Sequence, residues 1–105
     1  MKKYRYTNIP SVLQGDIPDG EEVCFLSGKR CHCDFHHVFG GTPQARKWSE
    51  EYGLWVWLKH DVHMKLHGTR EGQEWSRSLK QQCQQKFEQE HPRSMFIRLF
   101  HRNYL

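Results

Sequence analysis

Eight histidines in a chain of 105 residues are the feature of this sequence that could carry chemistry. His63 and His67 are one helical turn apart, so both imidazoles would project from the same helix face and could bind one cation together. His36 and His37 are adjacent and precede the Gly40-Gly41 pair, where the backbone can bend and present both rings toward a cleft. One histidine of that pair would bind the metal, while its neighbour would accept a proton.

The four histidines together predict a catalytic metal site. Three histidine ligands leave open coordination positions, which water and a substrate oxygen need. The bound cation would polarise a phosphoryl group, and the remaining histidine would deprotonate the attacking water. A structural zinc site would be closed and would usually contain cysteine. A zinc protease is disfavoured because the residue after His63 is Met64, whereas such enzymes place a glutamate there as the general base.

Asp34 is an alternative metal ligand. It lies two residues before His36, and side chains two apart on a strand share a face, so Asp34 could replace His36 at the metal. We prefer His36 because it is adjacent to the expected base, His37.

The cysteines suggest a second, lesser metal site. No secretory signal is visible, so reduced thiols or metal ligands are favoured over disulfides. Cys24 with Cys31 or Cys33, helped by His32 or His60, would form a mixed site that holds a structural zinc. The alternative is that these cysteines are small buried hydrophobic side chains.

Charge and hydropathy indicate the class of partner. The net charge of +4 suits a polyanion, because basic side chains contact the phosphate backbone of nucleic acids. Arg46 and Lys47, between the histidine clusters, are candidate phosphate contacts, with a solvated surface role as the alternative. No apolar run approaches the length of a membrane span, so we expect a cytoplasmic protein with no membrane partner.

The first half of the chain predicts an arm followed by two strands. Residues 1–20 contain several turn-forming residues, and they predict an extended arm with one short strand at 4–7. A single domain is expected over 21–105. In it, two short strands, 23–26 and 31–35, would be joined by a tight turn at Gly28.

The second half predicts one strand and several helices. A short helix is expected over 45–52, ended by Gly53, and a strand buried on both faces over 54–58. A histidine-bearing helix over 61–67 would be followed by Gly68. A longer helix over 71–90 and a final helix from Pro92 would pack on the core. The longer helix has an apolar stripe of Trp75, Leu79, Cys83 and Phe87.

Several segments resemble the HNH superfamily, and in particular small phage and prophage proteins of HNH type. The resemblance covers the chain from about Cys24 to its end. The segments that carry it are His36-His37-Val38-Phe39-Gly40-Gly41, Ser49-Glu50-Glu51-Tyr52-Gly53-Leu54, the strand through Leu58, His63 to His67, and Arg102-Asn103-Tyr104-Leu105. The histidine layout is also similar to that of the colicin-type DNases.

The resemblance implies a fold, an activity and a set of roles. The fold would be α+β, with a ββα-metal hairpin and helix plus two additional C-terminal packing helices. The activity would be hydrolysis of DNA, double-stranded or branched, by an endonuclease in phage or prophage DNA processing. His36, His63 and His67 would bind one divalent ion (Mg²⁺, Mn²⁺, Ni²⁺ or Zn²⁺), and His37 would be the general base.

Two departures from the family pattern bear on activity. The middle Asn, which precedes the second strand and braces the loop carrying the base, has no counterpart, since Gly53 or Leu54 occupies its place. The second cysteine knuckle of many family members is also missing, because Lys59 and Val62 stand at its positions. The alternative function is therefore a catalytically weak or inactive HNH-fold module, stabilised by metal, that binds DNA or assists phage assembly.

Overall fold

A computed structural model describes residues 3–105 of the chain. It has the predicted α+β class, with a two-stranded antiparallel sheet followed by helices. The elements, in chain order, are β1 (Cys33–His37), α1 (Pro43–Tyr52), β2 (Trp55–Lys59), α2 (His60–Gly68), α3 (Arg70–Phe87) and α4 (Arg93–Phe100). The two additional C-terminal helices of the prediction are α3 and α4.

The sheet places the two tandem histidines beside the buried strand β2. β1 pairs antiparallel with β2, so that His36 lies opposite Val56 and His37 opposite Trp55. Four of the five residues of β2 are buried, as the bulky run predicted. Trp55 and Trp57 are fully buried core residues, and each indole N–H donates to a backbone carbonyl.

The partner of β1 differs from the prediction. The segment expected to form the first strand, 23–26, makes one isolated bridge between Val23 and Arg30. The turn begins directly after Cys24, whose carbonyl accepts from the Gly28 N–H at 2.8 Å. The turn therefore contains the residues that would otherwise form the hydrogen-bonded ladder between the two predicted strands. Gly28 has the expected positive φ, 72°. β1 pairs with β2 instead, and the β2 residues 55–58 are all fully buried.

The N-terminal segment, residues 3–20, lies against β2. Tyr4 is buried, and its hydroxyl donates to Asp16 Oδ1 at 2.5 Å. Gln14 Oε1 accepts from the Trp57 N–H at 2.7 Å, and Ser11 Oγ donates to the Trp55 carbonyl at 2.6 Å. The segment predicted as an extended arm is thus irregular and packed on the core. The strand expected at 4–7 is a bend, and residues 1 and 2 of the predicted arm lie outside the described residues.

The helix that carries His63 and His67 is held against α3. Gly68 is the last residue of α2, where the sequence predicted that it would follow the helix. Thr69 alone joins the two helices, and its Oγ1 accepts from the Gly72 N–H at 2.9 Å. A Cβ at Gly72 would overlap the carbonyl of Lys65, so only glycine permits this approach.

The last two helices cover the core. Leu79, Cys83 and Phe87 of α3 are buried as predicted, and Trp75 is half-buried. Burial raises the pKa of the Cys83 thiol, which keeps the thiol protonated. Among residues 3–105, no helix is both long and apolar enough to cross a membrane.

Candidate metal centre

Three histidines meet where β1 faces α2. His36 Nδ1 lies 3.3 Å from His63 Nε2, which in turn lies 3.2 Å from His67 Nε2. Within the described part of the chain, this is the one group of at least three His, Cys, Asp or Glu side chains whose ligand atoms all lie within 4.8 Å of one another. His36 is buried, His63 half-buried and His67 exposed. The predicted trio is therefore close enough to bind a metal ion.

The nitrogen separations match those of ligands that share one ion. Imidazole nitrogens bind Zn²⁺ at about 2.0–2.1 Å in tetrahedral geometry, so two of them would stand about 3.3–3.4 Å apart. The observed separations of 3.3 Å and 3.2 Å lie close to that value. Two of the three separations in the trio therefore fit a shared metal ion, and all three ligand atoms lie within 4.8 Å of one another.

Burial keeps His36 uncharged, as a metal ligand must be. Its pKa is lowered to about 3, first because the ring is buried and then because His63, His67, His37 and Lys80 lie nearby. A neutral ring has a lone pair on one nitrogen, and Nδ1 is the nitrogen that faces His63. His36 Nε2 is buried and has no hydrogen-bond partner among residues 3–105. That atom can carry the ring proton while Nδ1 binds a cation.

Asp34 orients the second ligand. Its Oδ2 lies 3.0 Å from His63 Nδ1 and 2.7 Å from His60 Nδ1. A proton on His63 Nδ1 directed at this carboxylate leaves the Nε2 lone pair for the metal. Burial opposes ionisation of Asp34, but the hydrogen bonds from His63 and His60 outweigh it and lower the pKa. Asp34 thus contacts the proposed ligand His63. It does not take the place of His36 in the trio, which was the alternative that the sequence left open.

His37 lies beside the trio and is held by Glu50. Neighbouring residues of a strand point to opposite faces, so His37 shares a face with Phe35 and not with His36. At the end of β1, however, His37 borders the same cavity as the trio, a space of about 340 Å³. His37 Nε2 lies 2.7 Å from Glu50 Oε2. A proton on Nε2 would leave Nδ1 as the free proton acceptor.

Ser49 braces the loop after His37. Its side chain is fully buried, its Oγ donates to the Phe39 carbonyl at 2.9 Å, and it accepts from the Phe39 N–H at 3.3 Å. The sequence assigned no residue to bracing this loop, because the middle Asn of HNH proteins has no counterpart here. A serine in the middle of α1 was the available signal, since serine in a helix interior is unfavourable unless its hydroxyl has a partner.

The chain has no significant match to a known protein. No protein-family model, curated protein or solved structure matches it.

Two basic side chains border the cavity, and one of them was not predicted. Arg46 lines it and donates to the Gly40 carbonyl at 3.0 Å. Lys80 of α3 also lines it, and burial, followed by the charge of Arg102, lowers its pKa. Lys47 points elsewhere, over the Trp48 ring. Nothing in the local sequence distinguished Lys80, since its position depends on the packing of α3.

The cysteines do not form a comparable cluster. All four are free thiols. Cys31 Sγ and Cys33 Sγ are 3.8 Å apart, and burial together with the Cys31 thiol raises the pKa of Cys33 to about 12. Cys24 does not join them in a group with ligand atoms within 4.8 Å, a statement that covers residues 3–105. His32 lies near Glu22 and His60 is bonded to Asp34, so the predicted mixed site is not assembled.

Proposed function

We propose that this protein is a metal-dependent endonuclease of HNH type that hydrolyses phosphodiester bonds of DNA. One observation carries the proposal: the His36–His63–His67 trio and His37 border a single cavity, and His37 forms a pair with Glu50. The trio supplies a place for a cation, and the pair supplies a proton acceptor beside it. Metal-assisted hydrolysis needs both.

The residues divide the chemistry among themselves. His36, His63 and His67 hold the ion, which when bound would polarise the phosphoryl group and stabilise the leaving oxygen. His37 accepts the proton of the attacking water at Nδ1. Glu50 keeps the other ring proton on Nε2 and stabilises the imidazolium that forms, as carboxylates do beside catalytic histidines.

The ligand set favours a transition-metal ion. Imidazole nitrogens suit Zn²⁺ and Ni²⁺, whereas Mg²⁺ prefers oxygen ligands and keeps several waters. We therefore rank Zn²⁺ and Ni²⁺ above Mn²⁺ and Mg²⁺ for this site.

Charge supports a nucleic-acid substrate. The chain carries a net charge of +4, and Arg46 and Lys80 both line the cavity, where their charges would attract a phosphate. Such contacts read the backbone and not the bases, so we expect weak sequence specificity. The resemblance to phage and prophage proteins suggests DNA processing in a phage or prophage setting.

The alternative is a metal-stabilised module of the same fold without catalysis, which binds DNA or assists phage assembly. Its main support in the sequence is that the middle Asn of the HNH pattern has no counterpart in this chain. The Ser49 contacts with Phe39 give the loop another brace, which weakens that support. The two functions make different predictions, because a purely structural ion would stabilise the fold and support no cleavage.

The test is nicking of supercoiled plasmid by the purified chain with Zn²⁺, Ni²⁺, Mn²⁺ or Mg²⁺. We expect cleavage with at least one ion and its loss in His37→Ala, while calorimetric titration shows that the variant still binds that ion. His91→Ala, a half-buried histidine on the far side of Tyr52, is the matched control and should cleave. Equal cleavage by wild type and His37→Ala would refute the assigned base. Metal binding that raises the melting temperature without any cleavage would favour the alternative.

A further inference from the structure

Tyr6 presents an exposed aromatic ring beside the proposed catalytic base. It is 59% exposed, the highest value among the large hydrophobic side chains of residues 3–105. Its ring is nearly parallel to that of His37, with an interplanar angle of 21° and centroids 5.9 Å apart. Its edge meets Phe35 at 5.2 Å. The exposed part of the ring is therefore accessible to a ligand that approaches His37.

The turn that carries Tyr6 is firmly attached. Arg5 has a φ of 67°, in the left-handed region that residues other than glycine rarely adopt. Its backbone N–H donates to Asp19 at 2.8 Å, and its guanidinium donates to the Cys33 carbonyl at 3.2 Å. On the other side, Thr7 Oγ1 donates to the Glu50 carbonyl at 2.9 Å. These contacts hold Tyr6 at a defined place next to His37.

Tyr6 lines a second cavity. This cavity has a volume of about 420 Å³ and is lined by Tyr6, Phe35, His37, Arg46 and Glu50. Three of these residues, Phe35, His37 and Arg46, also border the cavity of the metal centre. A flat ring placed here would therefore be next to a phosphate that sits between His37 and Arg46.

We propose that Tyr6 stacks on an unpaired nucleobase adjacent to the phosphodiester that is cleaved, so that the substrate is single-stranded or locally unpaired DNA. The proposal rests on the proposed nuclease function. Bases within a duplex are stacked on each other and expose only their edges, whereas an unpaired base offers its whole face to an aromatic side chain. Stacking of this kind tolerates any base, which agrees with a site that contacts phosphates.

The first test measures binding in chelator, where no cleavage occurs. Fluorescence anisotropy would compare a labelled single-stranded 12-mer of thymidine with a 12-mer of abasic tetrahydrofuran residues. We expect Tyr6→Ala to weaken binding of the thymidine strand by about tenfold, from the loss of one stacked base. Binding of the abasic strand should not change. Tyr6→Phe keeps the ring and should bind both strands as wild type does.

Ile9→Ala is the matched control, since Ile9 is another exposed apolar residue of the same segment. It should bind both strands as wild type does. If Tyr6→Ala binds the thymidine strand as well as wild type does, the stacking proposal is wrong. It is also wrong if the substitution lowers the affinity for the thymidine strand and for the abasic strand by the same factor.

The second test measures cleavage of single-stranded DNA and of the matching duplex. Wild type should prefer the single strand, and Tyr6→Ala should lose most of that preference. If no ion supports cleavage but binding of the thymidine strand still depends on Tyr6, the proposed nuclease function is wrong and the stacking site is supported. If cleavage occurs without strand preference and without any effect of Tyr6→Ala, the stacking proposal alone fails.

Discussion

The carboxylate of Glu50, in α1, lies 2.7 Å from Nε2 of His37, the last residue of β1. The contact joins the strand that carries the proposed base to the helix that follows it. Because Ser49 binds the loop between them, two consecutive residues of α1 position His37.

Glu50→Gln tests the role of this carboxylate. Gln can still accept from His37 Nε2, but it cannot offset the charge of the imidazolium, so we expect the cleavage rate to fall by about 10- to 100-fold. Metal affinity should not change, because Glu50 does not touch the trio. Initial rates of plasmid nicking and calorimetric titration measure the two quantities. The exposed neighbour Glu51 provides the control, since Glu51→Gln should cleave normally.

Asp34→Asn should weaken metal binding. The substitution removes the negative charge that holds the proton on His63 Nδ1, and loss of such a partner usually lowers metal affinity by about 10- to 100-fold. Titration with Zn²⁺ or Ni²⁺ gives the dissociation constants. Asp61→Asn, on the exposed side of α2, should retain the wild-type affinity. An unchanged affinity in Asp34→Asn would show that the carboxylate does not set the orientation of His63.

Ser49→Ala should lower both stability and activity. It leaves the buried N–H and carbonyl of Phe39 without a partner, which costs about 1–3 kcal/mol of unfolding free energy. The loop that follows His37 would also lose its brace, so cleavage should slow even under conditions where the protein is folded. Urea denaturation and nicking assays provide the two readouts. Ser78→Ala, at an exposed position of α3, should behave as wild type in both.

Because the pKa of His36 is lowered, we expect the free energy of unfolding of the metal-free protein to decrease in mild acid. The folded protein keeps His36 neutral down to a pKa of about 3, whereas in the unfolded chain it takes up a proton near pH 6.5. Between these two values the unfolded state binds more protons, so stability decreases as the pH is lowered through this window. Above pH 6.5 the ring contributes no pH dependence. His67, whose pKa is also lowered by burial, acts in the same direction.

Urea midpoints in chelator, measured from pH 7 to pH 5, check this prediction. His36→Asn should flatten the slope in that range. The carboxyls with lowered pKa values, Asp34, Glu22 and Glu88, act mainly near pH 4 and below, so they do not obscure the result. A variant slope equal to that of wild type would contradict the assignment to His36.

The sequence alone indicated the metal-binding side chains and most of the elements that carry them. One helical turn separates His63 from His67, and this local spacing places both on one face of α2 whatever surrounds the helix. The buried strand β2 and the helix boundary at Gly53, where φ is 72°, follow from equally local patterns. The close approach of His36 to the helical pair was expected from the resemblance and is confirmed.

Only the tertiary structure established which residues support that centre. The pairing of β1 with β2 depends on how much surface each strand can bury, and this brings Asp34 to His63 across a separation of 29 residues. Lys80 reaches the cavity of the metal centre through the packing of α3. Glu50 of α1 and Tyr6 of the N-terminal segment line the neighbouring cavity, where Glu50 contacts His37. The spacing of these residues in the chain follows neither the helix period nor the strand period, so a sequence pattern does not predict their contacts. The contacts arise from long-range packing and not from local backbone geometry.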